Sequence, residues 1–225
     1  MKRRLAVADI HSRIGRFRFL TLSMLAMIAF RPFLDGFLAL GLLTDLLFAF
    51  VFFSGVYAVK DEQRPYRLAW ALALGFTVLR VPDLFGWISR VEPYEKAMVA
   101  LFLVFTLYNI YRQIQAEQRV TQDLIFAACC SYLLIGVIWA HAYYFVELAQ
   151  PGSFKGIEPV EEDISEFTYY SFVTLTTAGF GDIVAVGKEA RSLSALEAIT
   201  GQLYIAILLG RLVGAYVSES RNGGK

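Results

Sequence analysis

The chain has 225 residues, of which 57% are hydrophobic and 15% aromatic, with a net charge of +1 and a mean hydropathy of +0.52. Soluble domains are about 45–50% apolar, so this composition describes an integral membrane protein rather than a globule with a large core. A charge of +1 says nothing about nucleic acid, and no basic cluster is interleaved with aromatics in the manner of a nucleic-acid surface. Neither a Ser/His/Asp constellation nor a phosphate loop occurs, and no enzyme is expected.

In chain order, the first element is MKRRLAVADIHSRIGRFRFLTLSMLAMIAF. A basic start and an apolar centre suggest a signal peptide. The basic part is long, contains Asp9, and precedes no small-x-small cleavage pattern before Arg31-Pro32. It reads as a cytoplasmic lead-in (residues 1–16) to a first span near 17–34. A bilayer core needs about 20 mostly apolar residues per helix. That criterion predicts further spans near 36–59, 67–89, 94–112, 123–147 and 190–217. Residues 148–189 are too polar to cross, although ISEFTYYSFVTLTT within them has a helical pattern.

Basic residues gather before the first span (Lys2, Arg3, Arg4, Arg13, Arg16, Arg18) and between the second and third spans (Lys60, Arg64, Arg67). They also flank the fourth-to-fifth connection (Arg112, Arg119) and occupy the tail (Arg221, Lys225). The opposite side carries Glu147, Glu158, Glu161, Glu162, Asp163 and Glu166. The lysine and arginine bias therefore predicts cytoplasmic termini and an outward-facing polar loop. The fourth span holds Lys96 at its outer end and Arg112 at its inner end, with no charge between them. Voltage sensing needs several charges in the field, so little is expected of this helix. Asp45 in the second span and Arg80 and Asp83 in the third are intramembrane charges, which normally pair. A structural clasp and a one-charge or proton-linked switch are both open readings of that cluster. His141, near the outer end of the fifth span, is a hydrogen-bonded interfacial histidine or a pH sensor. Adjacent Cys129 and Cys130 read as buried small hydrophobes, unable to bridge from neighbouring helix positions.

The stretch Thr174-Leu175-Thr176-Thr177-Ala178-Gly179-Phe180-Gly181-Asp182 calls for a physical reason. Irregular backbone at membrane depth is tolerated where protein shields it or where it lines water. The preceding helix would enter from outside, with Asp163, Ser165 and Glu166 supplying capping oxygens and negative charge at its start. Its negative dipole end then lies within the membrane, which suits a cation. To aim successive carbonyls at one axis, the backbone alternates between left- and right-handed conformations, and glycine at alternate positions makes this affordable. The Thr177 hydroxyl adds an oxygen at the inner end, and Asp182 anchors the outer one. One chain supplies too few oxygens, so several copies converge on an axis.

This stretch resembles the signature of tetrameric potassium channels, and the resemblance runs from the fifth span to the last. It implies an all-α membrane protein of six transmembrane helices, with a re-entrant pore helix and selectivity-filter loop between the fifth and sixth. The domains would be a four-helix region (17–112), a linker (113–122), a pore domain (123–218) and a short tail (219–225). The resemblance implies potassium ions as the permeant cargo, held by oxygens of Thr177, Ala178, Gly179 and Phe180, with Phe180 and Gly181 at the outer mouth. Thr174, Thr176, Asp182 and Glu147 would support the filter. Tyr169 and Tyr170 stand where the family has an aromatic cuff. Gly201 stands at the hinge of the last helix, and Glu197, one turn earlier, has a gating or a bracing role. Arg211 would ring the inner mouth or reach the headgroups.

Ala178 replaces the usual valine and Phe180 the commoner tyrosine, which leaves a weakly selective or sodium-permeant channel as an alternative. A six-span transporter or non-conducting scaffold is the reading from a different class, though internal repeats and broken helices are not evident. Homotetramerisation, lipid contact and an unidentified gating ligand or subunit are the expected partnerships. No organic cofactor is expected. The brief tail predicts no attached ligand-binding domain, and short loops point to a bacterial inner membrane.

Overall fold

The computed structural model describes residues 16–34, 92–116, 121–157 and 164–223, with isolated positions between 67 and 78. The elements are α1 (Arg16–Leu34), α2 (Glu92–Ala116), α3 (Gln122–Ala149), β1 (Phe154–Lys155), α4 (Ser165–Leu175), β2 (Val184–Ala185) and α5 (Lys188–Gly223). Among the described residues, Pro93–Ala116 and Gln122–Ala149 are long and apolar enough to cross a bilayer. They cover the expected fourth and fifth spans. The second span and most of the third, with Asp45, Arg80 and Asp83, lie outside the described residues.

Contacts divide the chain into two compact units, Met1–Ala73 with Phe105–Leu133, and Leu74–Val104 with Leu134–Lys225. The division runs within α2 and α3.

In the first unit, α1 buries Phe17, Leu20, Met24 and Met27, a spacing that places them on one helix face. The Thr21 hydroxyl reaches Phe17 O at 2.7 Å and Phe126 O at 3.0 Å. The Arg18 guanidinium lies 5.6 Å from the Phe126 ring centre, and Cys130 Sγ sits 3.9 Å from Met24 Sδ. These contacts lay α1 along the start of α3. Cys130 is buried, but Cys129 is exposed, which corrects half of the expectation for that pair; both are free thiols. Phe19, Leu22, Leu25 and Phe30 of α1 are exposed. A helix that is apolar on its outer face as well suits lipid rather than water.

The core of the second unit is aromatic. Tyr143, Phe154 and Tyr170 are mutually edge-to-face, with ring centres 5.0–5.4 Å apart. Phe154 also meets Phe167 edge-on at 5.5 Å. Pairs of this geometry contribute about 0.5–1.5 kcal/mol each beyond area burial. They fasten α4 against α3 through β1. At the end of α3 the Glu147 carboxylate accepts the Gly152 N–H at 2.6 Å and the Phe154 N–H at 3.2 Å, closing the turn into β1. The two short strands pair antiparallel, Phe154 opposite Ala185 and Lys155 opposite Val184. The segment before α4 is thereby tied to the segment after Asp182.

Candidate functional site

α4 begins at Ile164, whose backbone occupies the N-cap without any side-chain cap hydrogen bond. The expected capping oxygens of Ser165 and Glu166 do not take that place; Glu166 contributes charge to the first turn, and Asp163 is outside the described residues. The Thr168 hydroxyl instead donates to Ile164 O at 2.8 Å.

The other end of α4 carries the chemistry. The Thr177 N–H donates to Thr174 O at 2.9 Å and the Ala178 N–H to Val173 O at 2.9 Å. This pair of bonds past a C-cap at Thr176 closes a helix with a left-handed residue, usually glycine. Here that residue is Thr177, with φ +57°. A β-branched side chain in this region costs about 1–2 kcal/mol. Glycine would meet the backbone requirement more cheaply, whereas threonine adds a hydroxyl at this position. That hydroxyl oxygen accepts from Gln202 Nε2 of α5 at 3.2 Å.

Positive φ recurs at Gly179 (+56°) and Gly181 (+81°). Left-handed backbone thus falls on every second residue from 177 to 181, the alternation that turns successive carbonyls toward one side. A Cβ added at Gly179 or Gly181 would meet nothing within 4 Å. Conformation, not space, demands glycine there. Residues 176–182 are all exposed, Phe180 at 72%.

Supporting residues surround this strip. The Tyr169 hydroxyl donates to Asp182 Oδ2 at 2.6 Å, bracing the outer end against α4, and holds the Asp182 carboxyl below the usual carboxylate range. Tyr170 does not join Tyr169. It is buried, and its hydroxyl lies 2.6 Å from Ser194 Oγ of α5. The two tyrosines diverge, one to Asp182 and one to the core. Thr176 Oγ1 donates back to Phe172 O at 2.7 Å, and Thr174 is half-buried. Glu147 holds the turn into β1.

Gly201 lies within the unbroken helix α5. A Cβ there would stand 2.1 Å from Leu175 O and 3.0 Å from Leu175 C. The glycine is the seat on which the last turn of α4 rests. One turn earlier, Glu197 is fully buried. It accepts from the Tyr143 hydroxyl and lies 2.5 Å from Ser171 Oγ. His141 is buried, and its Nδ1 lies 2.8 Å from Val137 O. Sequence reasoning missed Tyr143, Ser171, Ser194 and Gln202, although polar residues on otherwise apolar helix faces were a usable signal. It also missed Gly156, where φ is +94° and a Cβ would stand 2.1 Å from Asp182 O. This close approach clamps the backbone at Asp182 to the turn after β1.

Residues 129–218, which hold α4, the alternating strip and most of α5, match a family model described as ion channel. No curated protein and no solved structure matches the chain. The match and the two bilayer-length helices support an ion channel of a membrane.

Proposed function

We propose that the chain is one subunit of a homotetrameric, potassium-selective channel that conducts passively and performs no chemical step. The reading rests on one observation, the positive φ at Thr177, Gly179 and Gly181. Oxygens of Thr177, Ala178, Gly179 and Phe180 from four copies would replace the water that a potassium ion sheds, as carbonyl rings do in such filters. The exposure of residues 176–182 supports convergence of copies, because a single chain leaves the strip bare. The tether from Tyr169 to Asp182 supports a fixed outer mouth.

Both termini are cytoplasmic in this reading, and lipid surrounds the exposed apolar faces of α1 and α2. The segment between Lys96 and Arg112 in α2 carries no charge, so membrane voltage does little work on it. The filter's own sequence favours one other reading, a weakly selective or sodium-permeant channel, because Ala178 puts a small side chain behind the carbonyls.

Purified protein in planar bilayers under opposed potassium and sodium gradients tests the proposal. A reversal at the potassium equilibrium value, with current lost in Gly179→Ala, is the expected result. A reversal near zero selects the weakly selective channel. Absence of current from the intact protein refutes conduction.

A further inference from the structure

At the junction of α3, α4 and α5, three polar side chains meet one carbonyl. The Tyr143 hydroxyl (α3) reaches Glu197 Oε2. Glu197 Oε1 (α5) lies 2.5 Å from Ser171 Oγ (α4). Ser171 Oγ lies 2.7 Å from Gly136 O (α3). Each close oxygen–oxygen contact needs a hydrogen between its members, and a carbonyl only accepts. Three contacts therefore require three hydrogens, and the two hydroxyls supply one apiece.

With Glu197 ionised, Ser171 satisfies either Oε1 or Gly136 O. The remaining pair then faces lone pair to lone pair inside the bundle. A third proton on Oε1 resolves this. The acid donates to Ser171 Oγ, Ser171 donates onward to Gly136 O, and Tyr143 donates to Oε2. Burial points the same way. Glu197 is 0% exposed and, among the described residues, faces no cation. An uncompensated buried carboxylate costs several kcal/mol. The groups turned toward it are Tyr143 and Ser171, with the Tyr170–Ser194 pair alongside.

We propose that Glu197 is a neutral carboxylic acid at physiological pH, a positioning residue whose proton ties the back of α4 to α3 and α5. Ser171 lies six residues before Thr177 on the element that ends in the filter. Holding it fixes the height of the innermost oxygens. Only that last consequence rests on the channel reading; the protonation stands on the junction alone.

Infrared spectroscopy of the intact purified protein at neutral pH tests the protonation directly. The expected result is a carboxylic-acid C=O band in the wild type that is missing in Glu197→Gln. Its absence from the wild type overturns the proposal. Substitutions supply the second arm. Glu197→Gln keeps a donor for Ser171 and an acceptor for Tyr143, and should retain the wild-type thermal midpoint. Glu197→Ala strands both partners and should lower the midpoint by about 10 °C. A glutamine variant as unstable as the alanine variant also overturns the proposal. The band does not depend on conduction: a protein that shows it yet passes no potassium defeats the channel reading and leaves this inference standing.

Discussion

Gly201→Ala separates a packing seat from a hinge. The added Cβ would lie 2.1 Å from Leu175 O, against about 3.5 Å for an ordinary contact. The last turn of α4 or the facing stretch of α5 must therefore move by about 1.4 Å. Overpacking of this kind costs about 1–3 kcal/mol, and the upper end applies because the obstacle is backbone rather than a side-chain tip. Alanine returns about 1 kcal/mol of helix propensity to α5. The net loss is up to about 2 kcal/mol, or roughly 4–8 °C in thermal midpoint for a chain of this size. Leu175 stands two residues before Thr177, so the displacement reaches the innermost oxygens. A shift near 1 Å costs about 100-fold in a preorganised site, and potassium flux from proteoliposomes should fall by that order. Scanning fluorimetry and the flux assay read the two effects together. An alanine protein at least as stable as the wild type, with altered opening but intact conduction, would refute the seat and restore the hinge.

Thr177→Gly relieves the left-handed threonine, so unfolding free energy should hold steady or rise by up to about 1 kcal/mol while potassium preference over sodium falls. Unchanged reversal potentials would show that the hydroxyl is idle. Tyr169→Phe removes the bond that keeps the Asp182 carboxyl low. Because that carboxyl is depressed when folded, its contribution is full above the ordinary carboxylate range and fades only as pH falls below it. The variant should lose flux at a higher pH than the wild type during acidification, and coincident acid limits would contradict this. Gly156→Ala places a Cβ 2.1 Å from Asp182 O at φ +94°. The thermal midpoint should drop by about 5–10 °C; an unchanged midpoint would show the clamp to be slack.

The alternating backbone of residues 177–181 was legible because its signal is local. Glycines at 179 and 181 announce positive φ within a few residues, and the helical pattern before them locates α4. Other features arise where distant segments meet. Each strand of the β1–β2 pair has two residues, too few to show alternation, and their partners lie 31 and 29 positions away. Glu197 was conspicuous as a carboxylate in an apolar helix, yet its partners depend on how three helices cross. Gly201 suggested flexibility by its place in α5, whereas the Leu175 carbonyl that abuts it is a tertiary contact. The N-cap residue of α4 is likewise set by a tertiary contact. Ile164 is buried in the core beside Phe167, and packing there outweighs the local preference for a capping oxygen.

Gly179 supplies left-handed backbone at φ +56°, where an added Cβ meets nothing. Replacing it with D-alanine by semisynthesis keeps that conformation, while L-alanine resists it. Potassium flux through the two proteins is the decisive measurement. Conduction with D-alanine and none with L-alanine is the expected result; equal flux through both would contradict a backbone role for Gly179.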